Sequence, residues 1–127
     1  MTTVNYNSSS QYSGNRPYAD VVLNPSHPNA PTHKCLVDTG ADYLQLPASA
    51  ASTVGMSLAT ATNKSVTTVA GTVNLHFVSG VSVSIEGHPV TVDVLFDPTN
   101  TTMAIAGRQV LLRAFDLGFN IKEWLWT

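Results

Sequence analysis

An all-β domain is the fold class that this sequence predicts, and three observations carry it. From Ser65 to Phe96 the chain is rich in β-branched residues that alternate, with hairpin-like breaks at Ala70-Gly71, Ser79-Gly80 and Glu86-Gly87. Two earlier apolar runs, Ala19 to Leu23 and His33 to Val37, read as strands. The loop between them, Asn24 to Thr32, holds three prolines that cannot donate to a ladder. The length, 127 residues, suits one domain with a core of its own and is too short for two.

Along the chain, Met1 to Asn15 is polar, rich in Ser, Asn, Thr and Tyr, and lacks apolar periodicity. Residues 1–15 are therefore expected to be a flexible arm and residues 16–127 the folded domain. Beyond Val37, Pro47 suits a first helical position, and the Ala/Ser-rich run Ala48 to Val54 leads to Gly55, which predicts a short helix. Val81, Val83 and Ile85 alternate with Ser82, Ser84 and Glu86, and Val90, Val92 and Val94 alternate with Thr91 and Asp93. That is the pattern of two half-buried antiparallel strands joined at Glu86-Gly87. Asp97-Pro98-Thr99-Asn100 predicts a turn. Phe119 to Trp126 predicts a terminal strand, with Phe119, Ile121 and Leu125 on the face suited to the core and Trp124 and Trp126 on the other.

Composition narrows the function classes. The net charge is -2, with six basic residues and no Lys/Arg cluster, so the chain offers no electrostatic footprint for nucleic acid or for a membrane surface. No apolar stretch approaches the roughly 20 residues that span a bilayer. Met1 to Gly14 lacks the apolar core of a secretory signal, so an intracellular location is expected. The single cysteine, Cys35, cannot staple the domain and reads as a small buried apolar residue. His27, His33, His76 and His88 match no compact ligand spacing, so neither a metal nor another cofactor is expected.

The chemistry lies in Leu36-Val37-Asp38-Thr39-Gly40-Ala41-Asp42, which occurs once. An apolar run delivers Asp-Thr-Gly into a tight turn, where Gly40 permits the reversal and Asp38 is left projecting. This motif resembles the catalytic loop of the aspartic proteases, and Asp-Thr-Gly-Ala-Asp resembles most the single-domain, retroviral-type branch, the retropepsins. Downstream, Met103-Ala104-Ile105-Ala106-Gly107-Arg108 resembles that family's apolar-apolar-Gly segment followed by Arg, which passes beside the Asp loop and leads into a short helix, here Val110 to Ala114. The resemblance covers roughly Tyr18 to Phe119. It implies a single-domain, closed β-barrel with two short helices, acting as a homodimer, because none of Asp20, Asp42, Asp93, Asp97 or Asp116 begins a second Asp-[Ser/Thr]-Gly.

Residue by residue, the resemblance makes Asp38 and its twofold mate the catalytic carboxylates. Thr39 would hydrogen-bond across the axis, and Gly40 would present its carbonyl to substrate backbone. Ala41 cannot donate the hydroxyl hydrogen bond found in many pepsin-type loops, which implies activity at milder pH. Asp42 would face substrate main chain and pair with Arg108, a buried or half-buried pair locking the loop to the following helix, the alternative being a generic surface ion pair worth little. Gly107 would allow close packing under the loop, and Ala106 would border a subsite. A substrate-covering flap is expected from Val66 to Leu75 with Val69, Ala70 and Gly71 at its tip, although an ordinary hairpin fits the same pattern. Trp124 and Trp126 would be covered by a partner subunit or its arm, or by the domain itself. The expected function is endopeptidase action on extended peptides. The alternative is a protease-like dimerisation or peptide-binding module without turnover, against which the intact Asp-Thr-Gly argues.

Overall fold

The computed structural model describes residues 3–69 and 71–127. Among these, the chain runs through β1 (Ser8–Gln11), β2 (Tyr18–Leu23), β3 (Thr32–Val37), β4 (Leu44–Pro47), α1 (Ala48–Thr53), β5 (Thr62–Thr68) and β6 (Gly71–Ile85). It continues through β7 (His88–Asp97), β8 (Ile105–Ala106), α2 (Arg108–Ala114), β9 (Leu117–Phe119) and β10 (Glu123–Trp126). The protein is mostly β with two short helices, as its alternation predicts.

Seven strands form one sheet in the order β2-β3-β8-β4-β7-β6-β5, and β6 also pairs with β2 through Val21↔Ile85 and Leu23↔Val83. The path of pairings that leaves β2 through β3 therefore returns to β2 through β6. Alternation decides what lies inside. In β2, Ala19, Val21 and Leu23 are buried while Tyr18, Asp20 and Val22 are half-buried, and Val81, Val83 and Ile85 of β6 meet Val92, Val94 and Phe96 of β7 in the same core. Each such fully buried aliphatic side chain contributes about 1.5–3 kcal/mol. Cys35 lies in this core, and burial pushes its thiol pKa up to about 12, which keeps it a packing residue.

The predicted short helix α1 is present but begins at Ala48, with Pro47 as its extended N-cap instead of its first helical residue, and Gly55 follows its end in the left-handed region (φ 71°) with its N–H on the Ser52 carbonyl. Helix α2 buries Val110 and Leu111 against the sheet.

Three expectations change. Ser79-Gly80 does not break the strand; β6 continues through it with a bulge between Val78 and Val81. The Ser79 hydroxyl and the Gly80 N–H both donate to Asp93 Oδ1, at 2.8 and 3.1 Å, so a carboxylate replaces the missing ladder partner. The Gln109 amide first, together with these donors, holds the Asp93 carboxyl below its usual range.

The terminal segment is two strands. Asn120 Oδ1 accepts from the N–H groups of Lys122 and Glu123, at 3.0 and 2.9 Å, folding the chain into a turn that breaks the two-residue period. Phe119 and Ile121 are consequently exposed and Trp124 is fully buried, the reverse of the faces expected for one continuous strand. Trp124 Nε1 donates to the Tyr18 carbonyl at 3.0 Å, and Trp126 packs on Phe115 with ring centroids 4.7 Å apart. Trp124 is thus covered by its own chain, and Trp126 is half-buried against it.

The N-terminal stretch, expected to be a flexible arm, carries β1. It pairs antiparallel with β10 through Ser9↔Leu125 and forms a three-stranded sheet with β10 and β9. Tyr6 and Tyr12 donate their hydroxyls to the carbonyls of Leu117 and Asn120, both at 2.7 Å. Backbone pairing and two phenols order a segment that has no apolar pattern to announce it.

Candidate active site

Strand β3 delivers Asp38, and β8 lies parallel to it in the register Leu36↔Ile105 and Val37↔Ala106. The Asp38 N–H donates to the Ala106 carbonyl at 3.0 Å. Beyond Asp38 the chain turns at once: the Ala41 N–H reaches the Asp38 carbonyl at 3.2 Å, and the Gly40 N–H donates to Asp38 Oδ1 at 2.9 Å. The two sequence signatures are therefore one structural unit. Asp38 is half-buried, while Thr39 and Gly40 are exposed in the single chain.

The loop and helix α2 satisfy each other. A helix leaves its first N–H groups without partners inside the helix, and α2 has no side-chain cap. Instead the Arg108 and Gln109 N–H groups donate to the carbonyls of Ala41 and Asp42, at 2.8 and 3.0 Å. The Arg108 side chain adds a bond from Nη1 to the Thr39 carbonyl at 2.9 Å and an ion pair from Nη2 to Asp42 Oδ1. Gly107 is required by this closeness, since a Cβ there would stand 2.5 Å from the Tyr43 carbonyl oxygen and 2.8 Å from that of Ala41.

Two expectations are corrected here. The Arg108 and Asp42 side chains are 48% and 67% exposed, so theirs is a surface pair in the single chain. Ala106 is fully buried in the core, so what it offers the loop is its carbonyl, and its methyl borders no open subsite.

The hairpin of β5 and β6 stands beside the loop, in the register Val66↔Val73 and Thr68↔Gly71. At its tip Val69 is exposed and Gly71 adopts φ 117°, while Ala70 lies outside the described residues. Between hairpin and loop is a cavity of about 340 Å³ lined by Gly40 to Tyr43, Gln45, Lys64 to Thr67 and Leu95. Of these lining residues, sequence reasoning missed Tyr43, Gln45, Lys64, Ser65 and Leu95. Tyr43 and Gln45 follow the motif directly, but nothing in the sequence shows that Lys64, on another strand, faces them.

A larger cavity of about 790 Å³ lies elsewhere, between the N-terminal segment and β2 and β3, with Arg16, Asp20, Lys34 and Glu86 in its wall. Among the described residues no three His, Cys, Asp or Glu side chains converge as a metal site. No helix among them is long and apolar enough to cross a membrane.

The family model for the gag-polyprotein putative aspartyl protease matches residues 27–113. A comparison with curated proteins finds no match. The matched span takes in the Asp38 loop, the β5–β6 hairpin, the Gly107-Arg108 segment and nearly all of α2, and by that match the chain belongs to the gag-polyprotein aspartyl protease family.

Proposed function

We propose that this protein is an aspartic endopeptidase of the retropepsin type, a closed β-barrel whose active site is completed by a second copy of the chain. The observation that carries the reading is the setting of Asp38. It projects from a turn fixed on one side by β8 and on the other by the start of α2, so its carboxylate is held in place before substrate arrives. One chain contributes one such carboxylate, and a twofold axis through the exposed Thr39-Gly40 face would bring a second beside it.

Amide hydrolysis by water needs a base for the water and an acid for the departing nitrogen. Two carboxylates held a few Å apart cannot both ionise, so they share one proton and can supply both functions. The ionised member takes a proton from water as it attacks the carbonyl carbon. The protonated member stabilises the developing oxyanion, and a carboxyl proton then passes to the amide nitrogen as the C–N bond breaks. Thr39 would link the two loops across the axis, and Gly40 and Asp42 would bind substrate main chain. The β5–β6 hairpin, with Val69, Ala70 and Gly71 at its tip, would close over an extended peptide bound as a strand.

The test is Asp38→Asn, assayed for both cleavage and binding of a peptide library. The account expects no hydrolysis by the variant, with folding and peptide binding kept. Near-normal turnover by purified Asp38→Asn would remove Asp38 from the mechanism, and wild-type protein that binds peptides without cutting any would point to a binding module.

A further inference from the structure

The cavity beside the Asp loop has one charge that nothing balances. Asp42 lines it, but that carboxylate is paired with Arg108. Lys64 of β5 lines it too, and among the described residues no carboxylate pairs with its ammonium. Its Nζ donates to the Tyr43 hydroxyl at 3.1 Å and stands over two aromatic rings, 4.4 Å from the centroid of Tyr43 and 5.1 Å from that of Phe77. Those rings hold each other edge to face with centroids 5.6 Å apart. A lysine side chain is ordinarily free to sample many rotamers. Here aromatic faces and a phenol fix where its charge stands, while donor capacity remains for a further acceptor.

Resting on the protease reading above, we infer that Lys64 makes this cavity a subsite for an acidic substrate side chain, Glu or Asp, at a position near the cleaved bond. The main chain of a bound peptide gives affinity without sequence preference. Lys64 adds a charge-assisted hydrogen bond to a carboxylate and repels a substrate Lys or Arg. Tyr43 acts as the positioning residue through its ring and hydroxyl. Because Asp42 is already paired with Arg108, the preference is left to Lys64.

The test compares kcat/KM for peptides that carry Glu, Gln, Leu or Lys at each position flanking the cleaved bond. At one position the wild-type enzyme should cut the Glu peptide about tenfold faster than the Leu peptide, the effect of one hydrogen bond to a charged group. Lys64→Met, which keeps an unbranched stem against the rings, should flatten that preference, and Lys64→Glu should reverse it in favour of Lys. Tyr43→Phe, which removes the hydroxyl that Lys64 Nζ donates to, should lower the Glu-to-Leu ratio of kcat/KM below the wild-type value. Equal cutting of Glu and Lys peptides by the wild type, or an unchanged profile in Lys64→Met, would overturn the inference and leave the protease reading standing. If the wild type cuts none of the peptides, the protease reading fails and the inference falls with it.

Discussion

Gly107 lies so close beneath Tyr43 that a single added methyl group would overlap both the carbonyl oxygen and the amide nitrogen of that residue, at 2.5 and 2.8 Å. These are backbone atoms, which cannot swing aside as a side-chain tip can. The contact joins the end of the Asp loop to the start of α2, so whatever separates them disturbs both the fold and the setting of Asp38. Gly107→Ala should cost about 3 kcal/mol or more, the upper end for overpacking. Chemical denaturation would measure it, and any folded fraction should show reduced cleavage.

Arg108→Ala should behave differently. Because the Arg108-Asp42 pair is largely exposed in the single chain, its loss should cost about 1 kcal/mol or less, where a buried pair would cost several. Activity should fall much further, since Arg108 also holds the Thr39 carbonyl next to Asp38, the carboxylate proposed to do the chemistry. Arg108→Lys restores the charge without the forked geometry and should recover stability more fully than turnover. Thermal melting and kcat measured on the same preparations would separate the two effects.

Asp97 should govern part of the acid sensitivity of the fold. Burial pushes its carboxyl pKa up, but the Thr99 hydroxyl and N–H, at 2.7 and 2.9 Å, with the donors of Thr102, outweigh burial and hold it well below the usual carboxylate range. A carboxyl whose pKa is lower folded than unfolded adds stability that is complete above its unfolded value of about 4 and is lost as pH falls below it. Asp97→Asn should therefore destabilise the protein by roughly 2 kcal/mol at neutral pH and by much less near pH 2. Urea titrations across that range would show the two proteins converging as the medium is acidified.

What could be read from the sequence followed from periodicity and from turn chemistry. The strands around Val21, Val83 and Val92, the turn at Glu86-Gly87, the helix after Pro47 and the meeting of the Asp38 loop with Gly107-Arg108 are all legible, because each is written in neighbouring residues or in a motif. The features that escaped depend on partners distant in the chain. Asp93 carries β6 through Ser79-Gly80 from a facing strand, and the Asn120 side chain resets the alternation that had placed Ile121 inside. The pairing of β1 with β10 is made by backbone groups and two tyrosines, which leave no apolar pattern in Ser8 to Gln11. At the site, Lys64 and Tyr43 meet only because β5 folds back over the loop.

The proposal that two chains share one dyad is tested most directly by mixing. Wild-type chains and Asp38→Asn chains, unfolded together and refolded at constant total concentration in varied proportion, would assort into pairs in which only wild-type homodimers hold two ionisable carboxylates. Activity should then fall as the square of the wild-type fraction, to about one quarter in an equal mixture of a symmetric dimer that assembles at random. A linear fall, with half the activity kept in that mixture, would mean that each chain hydrolyses peptides on its own and would contradict the account.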